Sequence, residues 1–62
     1  MVKYIIYFKN LDDTLDMVMD GSTNSNVYSE MCNDIDFHIR RFENEQPELL
    51  ENGEYIAIIS GA

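Results

Sequence analysis

His38 is the only histidine in these 62 residues and Cys32 the only cysteine. Both residue types do chemistry, so what surrounds them matters. On a helix, His38 falls one turn after Asp34, close enough for an acid–base dyad or a metal pair. A metal site needs further ligands at ligand spacing, and the chain has no second histidine and no paired cysteine. The spacing therefore predicts a hydrogen bond between Asp34 and His38 along the helix edge. Cys32 lies beside apolar residues and lacks a basic environment to activate it, so it reads as a small buried hydrophobe. Asp12, Asp13, Asp16 and Asp20 lack the alternating oxygen ligands and central glycine of a calcium loop. Ser22, Ser25, Ser29 and Ser60 have no nucleophile-elbow context. The three glycines form no phosphate-binding pattern. Paired carboxylates for sugar hydrolysis need a cleft deeper than so short a chain builds alone. Tyr4, Tyr7, Tyr28 and Tyr55 read as structural residues, and as good contact residues where exposed. The expectation is a protein without catalytic groups, metal or cofactor.

Charge is the strongest compositional signal. Twelve acidic residues against four basic ones give a net charge of −8. Such a chain is a poor direct ligand for nucleic acid, whose phosphates require Lys and Arg. It is equally poor for anionic membrane surfaces. Solubility is one consequence of the charge. A larger basic partner, steered in by the acidic surface, is the more specific one. The candidate partner-binding residues are Asp12, Asp13, Asp16 and Asp20 with Glu43, Glu45, Glu48, Glu51 and Glu54.

One long amphipathic helix, Ser25 to Asn44, organises the rest. Tyr28, Met31, Ile35, Ile39 and Phe42 follow steps of three and four, which is one helical face. Ser25 or Asn26 can cap it. Asp36 and Arg40 form an i,i+4 pair, and Arg40 and Arg41 suit the negative end of the dipole. Phe37 points away from the stripe. It either packs on the Arg41 stem or contacts another chain.

Val2 to Lys9 and Glu54 to Ser60 are strands, rich in Ile, Tyr, Val and Phe. Both are apolar on two faces. Asn10 to Asp13 is a turn. Thr14 to Asp20 fits a strand with Leu15, Met17 and Met19 facing in. It also fits a helix with Leu11, Leu15, Val18 and Met19 on one face. The strand is preferred because a hairpin covers the edge of the first strand. Gly21 to Asn24 reads as a polar loop. Pro47 suits the start of a short helical turn, after which Leu49 and Leu50 tuck in and Asn52-Gly53 turns the chain.

These elements assemble into a single α+β domain over residues 1–62. It has ββαβ order, a three-stranded antiparallel sheet of order 2-1-3, and the helix packed on one face. A chain of this length buries only about 60% of its unfolded surface, so it is marginal alone. The helix covers one sheet face only. The other carries Ile5 and Tyr7, plus either Ile56 and Ile58 or Tyr55, Ala57 and Ile59. That face predicts a homo-oligomer, with Ile5, Tyr7, Ile56 and Ile58 as the candidate interface. The start, MVKYIIYFKN, is too short and too charged for a signal peptide, and no stretch approaches a membrane span. The cytoplasm is the expected location.

In size, acidity and lack of catalytic groups, the whole chain resembles the small phage-encoded inhibitors of bacterial defence, the anti-CRISPR and anti-restriction proteins. That resemblance implies a non-enzymatic inhibitor whose spaced carboxylates stand in for the phosphates of DNA on a nucleic-acid-binding host protein. Two other readings remain open. One is an oligomer enclosing a small ligand such as a signalling nucleotide, with Arg40, Arg41 and Lys9 clustered across an interface. The other is an accessory or regulatory subunit.

Overall fold

The computed structural model describes residues 2–24 and 27–60. Strands β1 (Val2–Asn10), β2 (Leu15–Thr23) and β3 (Gly53–Ser60) form an antiparallel sheet in the order β2-β1-β3. Between β2 and β3 run helix α1 (Tyr28–Glu45) and a 3-10 helix, Pro47–Glu51, with the proline in its first turn. The ββαβ order, the strand order and the helix on one face are as the sequence predicts.

β1 is central because its alternation serves both sides. Tyr4, Ile6 and Phe8 are buried on the helix side, Met31 and Ile35 are the buried residues of α1, and Ile35 packs with Tyr4 and Ile6. Met19, Ile39, Phe42, Tyr55, Ala57 and Ile59 pack around this small core. Ile6 is completely hidden. Burying one such side chain contributes about 1.5–3 kcal/mol, so this short list carries most of the fold.

Of the stretch 14–20, Leu15 onward is a strand, but its inward set differs from the simple alternation. Ile6 pairs with Met19 and Tyr7 with Met17, leaving Val18 as an extra residue in a β-bulge. A one-residue slip exchanges the two faces of a strand. Met19 therefore stays with Ile6 on the helix side, whereas Met17 and Leu15 turn to the open side with Tyr7 and Lys9. β2 also runs on through Gly21, Ser22 and Thr23, where a loop is expected. Gly21 belongs in the sheet because the Tyr4 ring lies over it. A Cβ there would stand 2.6 Å from the ring.

Tight bonding closes the β1–β2 turn. The Asn10 and Asp13 amides donate to Thr14 O and Asn10 O at 2.8 and 3.0 Å. Asp13 takes a left-handed φ of 70°, which Asp tolerates better than most residues.

α1 begins later than its pattern suggests. Val27 is the N-cap and has no side-chain acceptor to offer, while the predicted caps Ser25 and Asn26 lie outside the described residues. Tyr28, assigned to the buried stripe, is exposed. Cys32 lies one turn on, and hydrogen bonding to its side chain acts on the Tyr28 hydroxyl. That bond, and then the charge of the thiolate form, push the Tyr28 phenol above its usual range. Cys32 itself is only half-buried. Leu49 is half-buried, but Leu50 stays exposed, so the expected two-leucine plug is one leucine.

Candidate interaction surfaces

The nine carboxylates predicted as one partner surface divide into three groups. Asp12 and Asp13 belong to the hairpin turn. Asp12 accepts from Thr14 N and Thr14 Oγ1 at 3.1 and 2.6 Å, and the hydroxyl bond first, then the amide, hold its carboxyl below the usual range. Asp13 pairs with Lys9 at 3.6 Å. Asp20 and Glu54 lie on the open sheet face, opposite Ile5 and Lys9. Asp13 and Glu54 line one hollow with Lys9, and Asn10 links the turn to Asp16 through its side-chain amide.

The third group gathers at the C-terminal end of α1. Glu43 and Glu45 occupy its last turn, and Glu48 and Glu51 follow on the 3-10 helix. Glu43, Glu45 and Glu48 all act on Tyr55 through their charge. Burial raises the Tyr55 phenol above its usual range, and these three charges raise it further. Beside them the bulge has carried Asp16 to the helix side, where Asn10 Nδ2 donates to its carboxylate at 2.9 Å. Asp16 and Glu45 rim an open groove of about 580 Å³ whose floor is Phe8, Val18, Phe42, Leu49 and Tyr55. The Phe42 and Tyr55 rings stack at 5.8 Å and Phe8 meets Tyr55 edge-on at 5.2 Å. Sequence spacing points to the carboxylates but not to this aromatic floor, which the bulge and the sheet register create.

No basic residue sits in the last turn of α1. Arg40 ends before it and pairs back to Asp36 at 3.1 Å, as the spacing predicts, and both ends of the pair are exposed. Arg41 lays its guanidinium over Phe42, 5.2 Å from the ring centre. Phe37 is 64% exposed, and its ring contact is His38, edge-on at 5.6 Å. It remains a candidate contact.

The expected Asp34–His38 bond does not form. His38 leans under the helix edge toward Tyr4, with ring centres 6.4 Å apart. Its Nδ1 is buried without a hydrogen-bond partner among the described residues. The pull of the apolar layer wins over the exposed carboxylate. Among the described residues, no three His, Cys, Asp or Glu side chains are grouped to hold a metal ion.

On the open side, Ile5, Tyr7, Ile56 and Ile58 share one face, as expected, while Tyr55, Ala57 and Ile59 go to the helix side. Leu15 and Met17 join this patch. No helix among the described residues is long and apolar enough to cross a membrane. Comparison with protein families, curated proteins and solved structures found no match to this chain.

Proposed function

We propose that the chain is a non-enzymatic acidic inhibitor that covers a basic, nucleic-acid-binding surface of a larger protein. One observation carries this reading. Glu43 and Glu45 occupy the last turn of α1, and Glu48 and Glu51 follow on the 3-10 helix. A helix C-terminus is the negative end of the dipole, and each carboxylate there is unfavourable by about 0.3–1 kcal/mol at low salt. Carboxylates kept only for solubility would serve as well at the other end of the helix, where they would add stability. The placement of Glu43 and Glu45 against the dipole, beside the groove that Asp16 and Glu45 rim, supports a recognition role. Spaced carboxylates present the charge of a phosphate backbone, and the groove floor can receive the stem of a Lys or Arg.

The proposed biological class is the phage anti-defence inhibitor, in the cytoplasm, where a lone free cysteine such as Cys32 is at home. The ligand-enclosing oligomer is the weaker reading. Lys9 lies on the open side of the sheet and Arg40 and Arg41 on the helix, so the chain's cations are on opposite sides of the sheet. An accessory subunit has no specific observation in its favour.

The test is capture from a bacterial lysate on the immobilised chain, with duplex DNA as competitor. A triple variant, Glu43→Gln, Glu45→Gln and Glu48→Gln, is run beside it. The expected result is a basic nucleic-acid-binding protein that DNA displaces and the variant fails to hold. Capture of the same proteins by the variant, unaffected by DNA, would overturn the proposal.

A further inference from the structure

We propose that the open face of the sheet is a self-association surface, and that its occupant is a second copy of this chain. The patch contains Ile5 and Tyr7 of β1, Ile56 and Ile58 of β3, and Leu15 and Met17 of β2. Met17 is 67% exposed and Ile58 49%. Contiguous apolar faces of this kind on small domains are interaction sites or aggregation hazards.

The bulge at Val18 makes the face what it is. A regular ladder would set Val18 opposite Tyr7 and Asp16 opposite Lys9 on this side. The bulge sends Asp16 to the helix side and brings Leu15 and Met17 in its place. It exchanges Val18 and Asp16 on this face for Met17 and Leu15, so a carboxylate is lost and an apolar side chain gained.

Charge identifies the occupant. The open face carries Lys3 and Lys9 against Asp20 and Glu54. Of the other ten carboxylates, Asp13 pairs with Lys9 at the edge of the face and the remaining nine are opposed only by Arg40 and Arg41, so most of the net charge of −8 lies off this face. A strongly basic or acidic partner gains nothing here. A second copy brings the same neutral, apolar face. Lys3 and Asp20 sit toward one end, Lys9 and Glu54 at the other, so either end offers both signs to a two-fold related copy. Packed sheet on sheet, about 10 Å apart, the two acidic sides point outward, more than a Debye length of about 8 Å from one another.

Size sets the strength. Three strands of about nine residues span roughly 30 by 15 Å, or about 450 Å² in projection per copy. That lies at the low end for specific interfaces, which bury about 800 Å² per partner. The dimer is therefore weak and reversible. The inference stands apart from the acidic-inhibitor reading, and either can fail without the other.

Sedimentation equilibrium from about 5 to about 500 µM tests it, a range chosen to bracket a weak interface. The weight-average mass should rise from 7.2 kDa toward about 14 kDa. Ile58→Lys and Met17→Lys should each stay at 7.2 kDa throughout while keeping the wild-type circular dichroism spectrum. A wild-type chain that stays monomeric would overturn the proposal. So would folded variants that associate as the wild type does, or a mass that climbs past the dimer without limit.

Discussion

On the helix side of the sheet, Tyr4 and Ile6 are buried with Ile35 of α1, and Phe8 and Met31 are buried as well. On the other side Ile5, Tyr7 and Ile56 are half-buried and Ile58 exposed, although they come from the same strands and the same residue classes. The sides differ again in charge, since the excess of carboxylates belongs entirely to the helix side, the loops and the hairpin turn. An alternating strand supplies two apolar faces at once, and one helix covers one of them. The open face keeps its apolar character, while Asp16 and Glu45 rim the groove at the end of α1.

Core substitution should separate the two sides most strongly. Ile6→Ala removes a fully buried side chain and should cost about 2–5 kcal/mol. A chain of this length holds roughly 3–9 kcal/mol in total, so much of the protein should unfold. Ile58→Ala, on the open side, should cost under about 1 kcal/mol at low concentration. Urea denaturation followed by circular dichroism compares them. Equal losses would mean that the open face contributes to the monomer as much as the core does.

Salt should move the two surfaces in opposite directions. Association through the neutral face opposes two chains of net charge −8, so screening should strengthen it several-fold between about 50 and 500 mM salt. Binding of a basic partner to the Glu43–Glu51 end should weaken over the same range. Parallel responses would put both events on one surface.

The smallest expected effect is spectroscopic. Burial and then Glu43, Glu45 and Glu48 raise the Tyr55 phenol. Glu45→Gln should bring its titration partway back toward the ordinary value of about 10, read by phenolate absorbance. The sign for stability follows. A raised pKa favours the neutral phenol in the folded state, so that contribution is complete below pH of about 10 and is lost as pH rises through the folded value.

Much of this was legible in the residues, and the exceptions share a cause. β1, β3, the strand order and the body of α1 follow from hydrophobic period and turn chemistry, which are local. The Val18 bulge is not local. Leu15, Met17 and Met19 alternate as cleanly as any strand, and only the pairing with Ile6 and Tyr7 shows that Met19 parts company with the other two. Gly21 resembles a loop start until the Tyr4 ring is placed over it. Asp34 and His38 have the spacing to bond, but the imidazole goes to the apolar layer instead. The nine carboxylates are visible in the chain. Their division among a turn, a neutral face and an acidic groove depends on side-chain direction, which charge counting does not supply.

The division of the sheet into a self-associating side and an acidic side is tested most directly by NMR shift mapping over a dilution series. On dilution from high to low concentration, the signals of Ile5, Tyr7, Met17, Ile56 and Ile58 should move together along one dimer–monomer curve. Those of Val18, Leu49 and the buried Met31 and Ile35 should hold still. Shifts centred on the groove residues, or no shifts anywhere on the open face, would contradict the account.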